Sequence, residues 1–120
     1  MSISWIYPDD CIGLELDGEE PSLIYMDPPY GPKSEDTYYG VGDNSHDYLS
    51  YMHDRLAHMR DISGDSYNIV VHVDWKYVHN LKVMMDSIFG RDNFKNDIIW
   101  CFSNPSTNEQ WVPRKHKNLL

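Results

Sequence analysis

Two apolar runs, Leu23-Ile24-Tyr25-Met26 and Ile69-Val70-Val71-His72-Val73, flank one long amphipathic stretch. Short runs without a polar face are the mark of strands buried in a parallel sheet. Parallel neighbours need a crossover, which is usually a helix. The stretch between the runs supplies one: Tyr48, Leu49, Met52, Leu56 and Met59 recur at three- and four-residue steps. Asn44 or Ser45 is placed to cap it, with Asp47 in its first turn. The alternation then repeats. Asp74 is placed to cap a second helix that runs to about Phe89, with Val78, Leu81, Met85 and Ile88 inward. Gly90 is its stop. A third strand is expected over 97–102, and Asn118-Leu119-Leu120 open a fourth. This order predicts an α/β chain of right-handed βαβ units on a parallel sheet.

The first strand ends abruptly in Asp27-Pro28-Pro29-Tyr30. The two prolines lack N–H groups and fix φ, so strand pairing stops there. Pro28 also biases Asp27 towards an extended backbone. The result is a stiff turn at a strand's carboxyl end, where open α/β sheets bind ligands. It holds a carboxylate, a carbonyl with no N–H beside it, and a ring. Two neighbouring acceptors match the two donors of an exocyclic NH₂, and a flat base can stack on Tyr30. The ring, not the hydroxyl, is what stacking requires. An ordinary strand-ending turn with an exposed acid would use the same residues, and the tetrapeptide alone does not separate the two.

Residues 31–44 form a Gly-, Asp- and Tyr-rich loop, long for a compact domain and next to this turn. Tyr38 and Tyr39 can stack on bases and Lys33 can meet a phosphate, or the loop is plain surface. The adjacent acids Asp9/Asp10 and Glu19/Glu20 fit surface turns better than acid–base pairs, since neighbours in sequence seldom face each other. His46, His53 and His58 have no four-residue spacing, which argues against a metal site on their helix.

One hundred and twenty residues suffice for one domain with a core. Cys11 and Cys101 show neither metal spacing nor a disulfide framework, which favours a reducing, cytoplasmic setting. No apolar run nears membrane-spanning length. The net charge of −9 is unusual for a nucleic-acid binder, but it is unevenly spread. Residues 1–60 hold 12 acids and 3 bases, whereas residues 61–120 hold 7 of each. Phosphate contacts are therefore expected from the C-terminal part, where Arg114, Lys115 and Lys117 cluster.

Taken together, these stretches resemble the DNA amino-methyltransferases with a DPPY catalytic motif, of the β group. Asp10-Cys11 precede the first strand, then come Leu23 through Tyr30, Tyr48-Leu49-Ser50-Tyr51-Met52 through Arg55-Leu56, and Ile88-Phe89-Gly90-Arg91-Asp92-Asn93-Phe94 leading to Ile98-Ile99-Trp100. Pro113-Arg114-Lys115-His116 also looks like the segment before the last strand of the family's catalytic half.

The resemblance implies a Rossmann-like, seven-stranded fold of which residues 1–120 form the catalytic half, as one partial domain. It implies transfer of a methyl group from S-adenosylmethionine to adenine N6 in DNA, with the base flipped from the duplex. Asp27, Pro28, Pro29 and Tyr30 would carry catalysis, and Asp10, Cys11 and Asp27 would contact the cofactor. An Asp at the first motif position fits adenine better than cytosine N4, where Ser is more usual. The family's Phe-x-Gly-x-Gly cofactor pattern does not occur in this sequence. That leaves an inactive half-domain serving DNA binding or assembly as an alternative, beside a cytosine-N4 enzyme and an unrelated hydrolase with paired carboxylates. A partner half or a second copy is expected at the sheet edge beside Leu23–Met26.

Overall fold

A computed structural model of the chain describes residues 10–16, 18, 20–31, 45–103 and 116–120. Strand β1 (Leu23–Met26) pairs in parallel with β2 (Asn68–Val73), with Ile24 opposite Ile69 and Met26 opposite Val71. Helix α1 (Ser45–Ile62) makes the crossover between them. From β2 the chain passes through α2 (Val78–Phe89) to β3 (Ile98–Cys101), and β4 (His116–Leu119) follows. The sheet order is β1-β2-β4-β3.

The α/β class and the βαβ units of the sequence reading are present, but the sheet is mixed rather than parallel. β4 lies between β2 and β3 and runs antiparallel to both. Because it opposes each of them, β1, β2 and β3 all point the same way. The physical reason is the connection. A helix carries the chain from β2 to β3 and preserves direction, whereas β3 and β4 are direct neighbours that need no helical crossover. Both helical crossovers step the same way across the sheet, and right-handed crossovers of that kind place their helices on one face.

Side chains of a strand alternate between faces, and the helices cover one face over β1, β2 and Leu120, whereas Ile99 on that side of β3 is 48% exposed. Met26, Val71, Val73 and Leu120 form one buried core with Tyr48, Met52, Leu56 and Met59 of α1 and Val78, Leu81 and Met85 of α2. The stripe expected for α1 is the one that is buried. On the other face lie Leu23, Tyr25, His72, Lys117, Ile98 and Trp100, of which Leu23, Tyr25, Ile98 and Trp100 are about half exposed. β1 is an end strand of the sheet, as expected.

The end of α2 matches expectation and its start does not. Gly90 adopts φ 88° and its N–H bonds the Asp86 carbonyl, a left-handed stop that favours glycine. Asp74 does not cap α2 directly. Its Oδ1 accepts the Lys76 N–H at 3.1 Å and its carbonyl accepts those of Tyr77 and Val78, so it organises a turn ahead of the helix.

Candidate active site

The site is built where β1 and β2 end. Met26 is opposite Val71, so the next residues, Asp27 and His72, come level. The Tyr30 hydroxyl donates to Asp27 Oδ1 at 2.8 Å, so the turn folds its ring back onto the strand tip. His72 Nδ1 is 3.3 Å from the same Asp27 Oδ1, 3.3 Å from the Tyr30 hydroxyl and 3.4 Å from that of Tyr25. Asp27 keeps 57% of its side chain exposed, whereas His72 keeps 11%. One carboxylate therefore faces outward while a buried ring contacts its Oδ1. Burial first, and the Asp27 carboxylate second, push the Tyr30 phenol well above its ordinary pKa. Tyr30 thus remains a proton donor at neutral pH.

Rings continue the wall. The Tyr30 and His72 centroids are 5.3 Å apart and tilted, and His72 stacks on Trp100 of β3 at 5.7 Å. Lys117 of β4 holds its ammonium 4.1 Å from the Tyr30 ring centroid and donates to Asp74 Oδ2 at 2.8 Å. A base that stacks on Tyr30 takes the opposite ring face or displaces this lysine. Gly31 closes the turn with φ 150°, and a Cβ there would meet the Tyr77 ring at 3.1 Å.

Asp10 and Cys11, named from sequence beside Asp27 as cofactor contacts, sit at a one-turn 3-10 helix (Cys11–Gly13). Asp10 caps that turn by accepting the Ile12 N–H, and its other oxygen is held by Arg55 of α1. Arg55 in turn donates to the Tyr51 carbonyl at 2.9 Å and lies 3.3 Å from the Tyr51 ring centroid. Burial and the Asp10 charge raise the pKa of the Cys11 thiol, so it stays protonated and weakly nucleophilic. Both cysteines are free thiols.

Of the sequence candidates, Asp27, Pro28, Pro29 and Tyr30 form the strand-end turn, and Lys117 reaches the same ring. Lys33, Tyr38, Tyr39, Arg114 and Lys115 lie outside the described residues. Sequence reasoning missed His72 and Trp100. The signal for His72 was available. It is the polar residue inside a β-branched run, and aligning the carboxyl ends of two parallel strands sets it beside Asp27. Trp100 carried no such signal, because its position depends on β4 being inserted between β2 and β3. Among the described residues no three His, Cys, Asp or Glu side chains converge as for a metal ion. No described helix is long and apolar enough to cross a membrane.

The family of DNA methylases acting at N6 or N4 matches residues 22–120, which include all of β1 through β4. The type II methyltransferase M.EcaI of Enterobacter cloacae is 34% identical over 91% of this chain, and M.KpnI of Klebsiella pneumoniae is 30% identical over 82%. The probable type III restriction-modification enzyme HindVI Mod subunit of Haemophilus influenzae is 38% identical over 62%. The chain spans only 26% of the length of each type II relative and 10% of the Mod subunit. On the breadth of the family match, this chain belongs to the N6/N4 DNA methylase family.

Proposed function

We propose that the protein acts as a DNA methyltransferase on adenine N6, with S-adenosylmethionine as methyl donor. The observation that carries this reading is the Asp27–Tyr30 turn, an outward carboxylate bonded to a ring at a strand's carboxyl end. The relatives support it: they are named methyltransferases and a restriction-modification Mod subunit.

The donor set fits the methyl donor in kind. S-adenosylmethionine is cationic at its sulfonium and ammonium groups; Asp27 is a carboxylate with 57% of its side chain exposed, and Asp10, though bonded to Arg55 and the Ile12 N–H, keeps 36% exposed. Cys11 is half-buried beside Asp10. These three residues would hold it, and when bound it supplies an electrophilic methyl group.

The chain's own residues then do the following. Asp27 Oδ2 and the Pro28 carbonyl accept the two N–H bonds of the adenine amino group. That grip would draw the nitrogen lone pair out of conjugation with the ring and leave it free to attack an electrophile. Tyr30 stacks on the flipped base. Asp27 need not be a strong base, because the nitrogen is cationic once methylated and then gives one proton along its hydrogen bond to Asp27 Oδ2, on an exposed side chain that returns it to solvent. Lys117 serves as a phosphate contact, and Lys33, Tyr38, Tyr39, Arg114 and Lys115, named from the sequence, are further DNA contacts. DNA is the partner, with a second copy or a further half of the enzyme at the open sheet edge, and the cytoplasm is the place of reaction.

The test is to incubate the protein, at its full natural length, with labelled S-adenosylmethionine and unmethylated DNA, then hydrolyse to nucleosides. Label in N6-methyladenine is expected. Label in N4-methylcytosine would overturn the base assignment, and no transfer would overturn the activity. Asp27→Ala should abolish transfer with thermal unfolding unchanged, since the residue is exposed at a strand tip. Activity within about tenfold of wild type would refute its role.

A further inference from the structure

His72 is a buried polar group beside Asp27 that the reaction above does not use. We infer that His72 is a positioning residue. Its Nδ1–H, 3.3 Å from both the Tyr30 oxygen and Asp27 Oδ1, holds the Tyr30–Oδ1 pair in place, leaving Oδ2 as the oxygen that faces the substrate amino group. The inference rests on the proposed role of Asp27.

Proton accounting selects the tautomer. The Tyr30 hydroxyl spends its one proton on Asp27 Oδ1, at 2.8 Å. Asp27 Oδ1 and the Tyr30 oxygen are both 3.3 Å from His72 Nδ1. If Nδ1 carried only a lone pair, it would face the lone pairs of a carboxylate at that distance, which is repulsive. With a proton, Nδ1 donates to the Tyr30 oxygen at 3.3 Å, whose own proton goes to Asp27 Oδ1, and the same N–H lies close enough to attract Oδ1; the Tyr25 hydroxyl oxygen, at 3.4 Å, serves as a further acceptor. Nε2 is the complementary observation. It is buried and has no hydrogen-bond partner among the described residues. A buried N–H without a partner costs more than an unmet lone pair, so the neutral ring puts its proton on Nδ1.

The ring is itself held on several sides. Trp100 stacks on it, Tyr30 and Tyr25 approach from β1 and its turn, and only 11% of the side chain is exposed. A fixed donor of this kind limits rotation of the Asp27 carboxylate about its Cβ–Cγ bond. Without it, Oδ2 and the Pro28 carbonyl no longer keep one geometry, and displacement of a reacting group by about an ångström lowers turnover on the order of a hundredfold.

Two measurements test this. In the first, transfer is assayed in the full-length protein with His72→Phe, His72→Asn and Asp27→Ala. His72→Phe keeps the ring and its stack on Trp100 but removes both nitrogens. It should lower kcat on the order of a hundredfold while leaving KM for DNA and for S-adenosylmethionine nearly unchanged. His72→Asn retains an N–H near Nδ1 and should recover most of that loss. Equal kcat in His72→Phe and wild type, with Asp27→Ala dead, would sink the inference and spare the proposed function. Full activity in Asp27→Ala would sink that function instead. The second measurement needs no variant to be active. Long-range ¹H–¹⁵N correlation spectra of the wild type should show His72 with its proton on Nδ1, and Asp27→Ala should perturb that state. A proton found only on Nε2 would overturn the inference even if His72→Phe failed to fold.

Discussion

Tyr30 joins two roles that the sequence kept apart. The motif reading needs only its ring, yet its hydroxyl donates to Asp27 at 2.8 Å and so helps set the carboxylate. Tyr30→Phe should therefore lose activity modestly, by a few-fold, because a bond to a carboxylate that is more than half exposed is weakened by solvent. Tyr30→Ala also loses stacking, which contributes about 1–3 kcal/mol per base, and should fall much further. Equal losses in both variants would show that the hydroxyl accounts for the whole role. The Asp27–Tyr30 turn was legible because prolines, an acid and an aromatic ring after an apolar run leave few conformations. His72 was only half legible. Its type stood out, but its partners come from a register that strand pairing sets. Lys117 was named as a phosphate contact from charge alone. Its ion pair with Asp74 and its place over Tyr30 belong to tertiary structure that no local pattern encodes.

At the scale of elements, helix α1 was the most legible part, because eighteen residues with a regular stripe admit one burial solution. Met52 lies on that stripe with no exposure, and Met52→Ala should destabilise the fold by about 2–5 kcal/mol in denaturant unfolding. Val83 of α2 is 69% exposed, and Val83→Ala should change stability by less than about 0.5 kcal/mol. Tyr48 adds a pH signature. It is almost fully buried in the core, and burial raises its phenol pKa. In the unfolded chain the phenol ionises near pH 10. The folded state keeps the proton, so the stabilisation is complete below about pH 10 and declines as pH rises beyond it. Relative to Tyr48→Phe, the wild type should lose up to about 1.4 kcal/mol per pH unit above that point. Parallel stability curves for the two proteins at high pH would refute this. The direction of β4 was not legible. Its four residues carry no directional pattern, and its place between β2 and β3 emerges only from assembly of the sheet.

For the molecule as a whole, the two faces of the sheet make opposite demands. One is buried under α1 and α2 over β1 and β2, and the other presents Leu23, Tyr25, Ile98 and Trp100 at about half exposure or more. Among the described residues β1 is an end strand, and its outer backbone groups lie alongside. Exposed apolar side chains on β1 and β3, and a sheet edge that no described strand pairs, both favour association. The net charge of −9 opposes it, since two copies repel over the Debye length, about 10 Å at 0.1 M salt. The apolar attraction is insensitive to screening and the repulsion is not, so salt should decide the balance. Sedimentation velocity on the 120-residue chain should show association that grows with concentration and strengthens as salt is raised. Placing a charge on the open face, as in Trp100→Glu, should return the chain to monomer without unfolding it, because Trp100 is 55% exposed. A clean monomer at high concentration and high salt would mean that this face is covered within the chain itself. Association that weakens with salt would mean that charge pairing, not the apolar face, holds the copies together.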